Sequence, residues 1–240
     1  MENLAYPMRI NRYLSKTRGF CSRREADVLI GKGMVKINGR VAVLGDRVNE
    51  NDVVAVDKKL KNALKKYEYY AYYKPIGIVT HTPEAGQKDI RQAAGAAADV
   101  FPVGRLDMAS HGLIILTNDG RVTEKLLSPE YGHEKEYVVA VDKPLKNQFL
   151  KHMRRGIKLE DFTTKECVVE KLDDYIFKIV LTEGKKHQIR RMCTALGYAV
   201  LDLKRVRIMN VKLTNRPGQK RRLSGDELEE FLASLGIKND

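Results

Sequence analysis

Apolar and polar positions recur with two different periods along the chain, and the change of period divides it. Between Arg9 and Thr17, the residues Ile10, Tyr13, Leu14 and Thr17 fall at helical spacing, with Arg12 and Lys16 away from that face. Ser22-Arg23-Arg24-Glu25 reads as a capping box that opens a second helix, with Ala26, Leu29 and Ile30 on its apolar side and Gly31 or Gly33 at its end. Short alternating runs follow at 35–37, 41–43, 48 and 53–56, and Asn38-Gly39 suits a tight hairpin turn between the first two. The stretch 57–67 is crowded with lysines and reads as a charged connector or a short helix.

Beyond Tyr69 the pattern predicts strands at 69–73, 112–117, 136–141, 166–172 and 175–181. Helices are predicted at 122–127, 144–154, 187–196 and 226–235, with Pro144 as the first residue of its helix and Ser224 as the cap of the last. The consecutive strands at 166–181 favour antiparallel pairing. The expected fold class is therefore α/β (α+β): a small module at 8–57, a Lys-rich linker at 58–65, and a domain at 66–240 whose mixed, mostly antiparallel sheet is flanked by helices. Tyr69, Tyr70, Tyr72 and Tyr73 belong to the core on this reading, since an aromatic strand is more often packed than exposed.

Charge changes the picture. Lys and Arg outnumber Asp and Glu by 44 to 31, and between Lys185 and Arg222 twelve bases face one acid, Asp202. The first sixty residues hold twelve bases against seven acids. Two basic concentrations suit a polyanion that touches both parts of the chain. The first eight residues lack a basic start followed by an apolar stretch, and no apolar run approaches the roughly 18 residues that span a bilayer, so neither a leader nor a membrane is expected. Cys21, Cys167 and Cys193 are widely spaced and odd in number, which fits reduced thiols in a cytoplasm. Cys21 reads as a small buried residue.

Several familiar sites are excluded. His133-Glu134-Lys135-Glu136-Tyr137 begins like a zinc-protease helix but has Tyr137 where the second histidine should stand. His81, His111, His152 and His187 are scattered, so no metal is expected. Neither a phosphate-binding P-loop nor a dinucleotide fingerprint is present, and no cofactor is expected.

Three stretches of the larger domain carry a resemblance. They are Lys74-Pro75-Ile76-Gly77, then Gly104-Arg105-Leu106-Asp107 with Ser110, Gly112 and Leu113, then the run from Glu183 through His187-Gln188-Ile189-Arg190-Arg191 to Met192. In that order they resemble the pseudouridine synthases of the branch containing RsuA, RluB and RluF, and the wording at 133–137 is most similar to the RluF subgroup. The first module resembles the small RNA-binding unit of ribosomal protein S-four through Arg9 to Leu14, Gly19 to Ala26 and Val35 to Arg40. The resemblance implies isomerisation of a uridine to pseudouridine in structured RNA, with large-subunit ribosomal RNA as the expected substrate and tRNA as an alternative. A noncatalytic RNA-binding assembly factor is the rival from another class. A monomer is expected.

The chemistry asks for few groups. A base-to-sugar bond breaks, the base turns, and the bond re-forms to carbon; an ionised carboxylate is a suitable nucleophile or base for that step. The resemblance assigns it to Asp107, keeps it charged through the Arg190 fork, and stacks Tyr137 on the extruded base, with Ile189 as the other apolar wall. It implies RNA contacts for Arg9, Lys16, Arg18, Arg23 and Arg24 of the module, and for Lys185 and Arg191 of the larger domain. Lys74 and Arg105 are left between an RNA contact and a local structural role.

Overall fold

A computed structural model describes residues 5–16, 21, 23–57, 67–81, 83 and 87–237. The chain forms two compact units, Met1–Tyr67 with Asp119–Glu124, and Glu68–Asn118 with Lys125–Asp240. The inclusion of 119–124 in the first unit has no counterpart in the sequence pattern.

In the first unit, strand β1 (Met8–Arg9) leads into helix α1 (Ile10–Lys16), and helix α2 spans Arg23–Gly31. Strands β2 (Val35–Ile37), β3 (Arg40–Val41) and β5 (Val54–Val56) make a sheet of order β3-β2-β5, while β4 (Arg47–Val48) pairs with β1. Ile10, Leu14, Ala26, Leu29 and Ile30 from the helices close on Val35, Ile37, Val48 and Val54 from the strands. Asn38 and Gly39 take the positive φ values, 51° and 84°, that a tight primed hairpin turn needs. The strand expected at 41–43 stops at Val41, because the Val43 amide turns to the Asp46 carboxylate at 2.9 Å. That amide, ahead of the Arg40 guanidinium, holds the Asp46 carboxyl below the usual carboxylate range. Cys21 is buried, and burial pushes its thiol up to about 12. Ser22, and with it the expected capping box, lies outside the described residues.

The second unit is built on a nine-stranded sheet of order β10-β11-β9-β12-β8-β6-β14, with β13 pairing β12 and β7 pairing β8. The strands are β6 (Tyr69–Lys74), β7 (Phe101–Val103), β8 (His111–Thr117), β9 (Lys135–Val141), β10 (Val168–Lys171), β11 (Ile176–Leu181), β12 (Val200–Ile208), β13 (Val211–Lys212) and β14 (Lys220–Arg222). Every pairing is antiparallel except β12 with β8. The fold is α+β with a mixed sheet. Helices α3 (Ile90–Ala93), α5 (Asn147–Arg155), α6 (Gln188–Ala195) and α7 (Gly225–Ser234) belong to this unit, and α4 (Gly120–Leu127) crosses the division between the two. Phe149, Leu150 and Met153 of α5 and Ile189, Met192 and Cys193 of α6 pack with Val139, Phe177, Ile179 and Leu203 of the sheet in one core. Among the described residues no helix is long and apolar enough to cross a membrane.

Three local expectations are corrected. Helix α5 starts at Asn147, not at Pro144, because the Pro144 carbonyl accepts from the Tyr198 hydroxyl (3.1 Å) and the Leu145 amide donates to Asp174 (2.7 Å). Ser224 stands at the cap position of α7 but its side chain makes no capping bond. The strand expected at 166–172 shortens to Val168–Lys171, since the Cys167 amide is taken by the Arg154 carbonyl at 3.0 Å. Strand β12, at the middle of the sheet, was not predicted at all.

Candidate active site

The segment Gly104 to Ser110 joins β7 to β8, and its backbone is held from every side. The Thr80 hydroxyl donates to the Leu106 carbonyl (2.7 Å) and accepts from the Leu106 amide (3.2 Å). The Asp107 carbonyl accepts from the Ser110 amide (3.0 Å), and that of Met108 from the Gly77 amide (2.9 Å). Arg190 Nη2 donates to the Ala109 carbonyl (3.1 Å) and lies 3.3 Å from the Ser110 hydroxyl, while Lys74 Nζ donates to the Ser110 carbonyl (2.8 Å). Five consecutive carbonyls thus have donors. A loop so completely bonded has little backbone freedom left. The Asp107 carboxylate stays partly open, its side chain 35% exposed.

Two glycines make this geometry possible. Gly104 turns the chain with φ +79°, and a Cβ there would meet Leu127 at 3.0 Å. Gly112 lies so close to β12 that a Cβ would meet the Arg205 carbonyl oxygen at 2.3 Å. Only glycine lets β8 run beside β12 at that distance.

A single row crosses the sheet: Lys74 opposite Gly112, Gly112 opposite Arg205, and Arg205 opposite Tyr137. Arg205 is buried, donates from Nε to the Leu113 carbonyl (2.6 Å), and stands 6.0 Å from the centre of the Tyr137 ring. Lys74 is fully enclosed, and burial lowers its ammonium to about 8; the Asp107 charge works against that and Arg205 works with it. Lys135 is likewise lowered to about 8 by burial and then by Arg205, with Nζ on the His133 carbonyl (3.0 Å). The row concentrates positive charge beside the Asp107 loop.

Of the residues predicted for catalysis, Tyr137 is buried, its hydroxyl has no hydrogen-bond partner among the described residues, and its ring packs in the cluster that also holds Leu106 and Ile189. Leu106 precedes Asp107 and Ile189 precedes Arg190, so the chain neighbours of both residues share one core cluster with Tyr137. The expected Arg190 fork on the Asp107 carboxylate is not formed. Its guanidinium instead bonds the Ala109 carbonyl, the Ser110 hydroxyl and the Val200 carbonyl (3.2 Å), tying the loop to β12. Among the described residues, the side chain within ion-pair distance of the Asp107 carboxylate is His187, with Nε2 3.2 Å from Oδ1.

The predicted RNA contacts divide by burial. Lys74 has no exposed surface, so of its two roles the structural one fits and a phosphate is out of its reach. Ile189 is buried in the core cluster that also holds Tyr137. Arg9, Arg23, Arg24, Arg105 and Lys185 are exposed. Arg191 pairs with Asp161 and lies over the Phe162 ring at 5.2 Å. The Lys16 side chain and all of Arg18 lie outside the described residues. Arg205, Lys135 and His187 were given no role: the first two sit among ordinary-looking basic residues, and His187 was noted among the scattered histidines and as a member of the 183–192 motif. Among the described residues no His, Cys, Asp and Glu cluster is arranged to hold a metal ion.

Comparison with known proteins identifies the family. Residues 68–195 match the model of the RNA pseudouridylate synthase family, and residues 8–54 match that of the S4 domain. The dual-specificity RNA pseudouridine synthase RluF of Escherichia coli is 43% identical over 224 residues, covering 92% of this chain and 77% of the relative. The ribosomal large subunit pseudouridine synthase B of Bacillus subtilis is 33% identical over 225 residues, covering 90% and 92%. A crystal structure of a pseudouridylate synthase superposes with a TM-score of 0.69 at 28% identity, covering 93% of this chain and 99% of that one.

Proposed function

The chain belongs to the RNA pseudouridine synthase family and carries an S4 domain ahead of its catalytic domain, and from that premise we propose that it isomerises a uridine of large-subunit ribosomal RNA with Asp107 as the reacting carboxylate. The observation that carries the proposal is the full capture of the carbonyls from Leu106 to Ser110 around a side chain that remains open. A reacting group gains most when its geometry is fixed before substrate arrives.

Reactant and product contain the same atoms at the same oxidation level, so side chains suffice and no cofactor is invoked. Asp107 attacks or deprotonates the nucleoside as the bond from sugar to nitrogen breaks. The base has to leave its stack to meet this carboxylate. The Tyr137 ring and Ile189 supply an apolar surface for it, and the unpartnered Tyr137 hydroxyl can relay a proton as the bond to carbon forms. Arg190 and Lys74 hold the loop and add positive charge beside the carboxylate. The choice of RNA rests on the large-subunit activity in the name of the Bacillus relative; the dual specificity named for the Escherichia coli relative calls for a second RNA in the same assay, and a tRNA stem-loop is the alternative to test.

Asp107→Asn keeps the shape and removes the charge. We expect no turnover on a large-subunit RNA transcript and unchanged RNA affinity. Turnover near the parent rate would sink the assignment, and pseudouridine mapping in cells with and without the protein identifies the uridine.

A further inference from the structure

The turn that opens α6 places a histidine where neither helix formation nor backbone comfort calls for one. His187 stands at the cap position of α6 with φ 52° and ψ 27°, the left-handed region, and its side chain makes no capping bond. Glycine would adopt that backbone freely, and Ser, Asp or Asn would use the position to bind helix amides. For an L residue with a Cβ the conformation is disfavoured, and it persists only where its surroundings impose it.

They do impose it. Buried Glu183 accepts from the Lys165 amide (3.0 Å) and from the Gln188 side-chain amide (2.7 Å), while Gln188 Oε1 accepts from the Lys185 amide (3.0 Å). The Arg191 amide closes the first turn on the His187 carbonyl at 2.9 Å. The backbone of His187 is thereby fixed, and its imidazole is directed to the Asp107 carboxylate, Nε2 to Oδ1 at 3.2 Å. Both side chains stay reachable, His187 at 49% and Asp107 at 35% exposed. Arg190, three positions further on, is occupied with the Ala109 and Val200 carbonyls, so among the described residues the side chain within ion-pair distance of this carboxylate is His187.

We propose that His187 is a positioning residue for Asp107. Its Nε2–H donates to Oδ1, stops the carboxylate from rotating, and leaves Oδ2 for the nucleoside. The bond can form whether the ring is neutral with its proton on Nε2 or is an imidazolium. The backbone conformation is the cost of that placement. This inference rests on Asp107 being the reacting carboxylate.

The test is single-turnover tritium release from C5-labelled uridine in a large-subunit RNA transcript, using the full chain at saturating enzyme, with RNA affinity measured at the same salt. His187→Gly relieves the left-handed backbone, so its thermal midpoint should rise while its rate falls about tenfold, the usual worth of one hydrogen bond to a charged group. RNA affinity should stay at the parent value. His187→Gln retains an N–H donor and should recover most of the rate. A parent or faster rate in His187→Gly, with Asp107→Asn inactive, overturns the proposal, because the ring then only covers the carboxylate or does nothing to it. Loss of affinity in proportion to rate, unrepaired by Gln, overturns it too, since His187 would then belong to the RNA-binding surface. If Asp107→Asn itself turns over, the carboxylate assignment fails instead, and the two failures are told apart.

Discussion

Two segments supply the site, the loop from Leu106 to Ser110 and the turn from Glu183 to Arg191, and they spend their polar groups differently. In the loop the carbonyls are all bonded, to Thr80, Gly77, Arg190, Lys74 and the loop's own amide at Ser110. In the turn the inward members, Glu183 and Gln188, fasten the backbone, while Lys185, Lys186 and His187 are left exposed. One segment is built to stay still and the other to be approached. Arg190 belongs to the second by sequence and to the first by its bonds. Position in a basic motif therefore does not decide what a cation does; the atoms it reaches decide it.

The harshest way to break the contrast is to remove Arg190. Arg190→Met deletes the donor of the Ala109 and Val200 carbonyls, and the loop loses its tie to β12. We expect the single-turnover rate to fall about a hundredfold, as for loss of one or two hydrogen bonds to a charged donor, with RNA affinity close to the parent's. Arg190→Lys, with a single ammonium in place of a planar fork, should recover only part of the rate. A variant that binds RNA poorly but reacts at the parent rate would place Arg190 with the exposed cations instead.

How much of this was legible beforehand follows the same division. The helices α1 and α2, the Asn38-Gly39 hairpin and strands β6, β8, β9 and β11 were readable because apolar residues recur at the right period and turn residues bound them. Strand β12 was not. It carries Asp202, Lys204, Arg205 and Arg207 within nine residues, and a sheet's central strand is normally apolar. The charge is tolerated because Arg205 bonds the Leu113 carbonyl and Arg207 pairs with Glu134 and Glu136, partners distant in sequence. Asp107, Tyr137 and Arg190 were singled out through their flanking residues, and the bonds that Arg190 makes to Ala109, Ser110 and Val200 were not foreseen. The contact from His187 was not, since it depends on a left-handed backbone at the start of α6 that is set by the bonds of Glu183 and Gln188.

A gentler probe uses the buried cations. Lys74 and Lys135 lose their protons near 8 in the folded chain, against an ordinary value of 10.5, chiefly through burial. Between those values the unfolded chain holds the protons that the folded chain has released, so stability should rise with pH across that window; below it both states are charged and the burial cost is felt in full. Urea midpoints should therefore increase from about pH 7 to about pH 9.5. In Lys74→Met/Lys135→Met the rise should flatten. An equal rise in the double variant would show that other groups produce it.

The smallest effects should come from the approachable side, and they can be ranked by what each cation already touches. Lys186 is exposed and Lys185 lies over the Phe162 ring at 5.7 Å, whereas Arg191 is ion-paired with Asp161 as well as stacked on Phe162. A cation that meets a phosphate releases a condensed counterion, which makes affinity fall with salt. Lys186→Gln should reduce the slope of log affinity against log salt by roughly 0.7 to 0.9, the single-phosphate value, and Lys185→Gln by no more. Arg191→Gln should change the slope least, because Arg191 has to give up Asp161 before it can serve a phosphate. Weakened binding in Lys186→Gln should fade at high salt, where phosphate contacts contribute least. The rate at saturating enzyme should be unchanged for Lys185→Gln and Lys186→Gln, since neither touches the 106–110 loop. A steeper loss of slope for Arg191→Gln than for Lys186→Gln would mean that the Asp161 pair opens readily and that Arg191 is the principal phosphate contact of the turn.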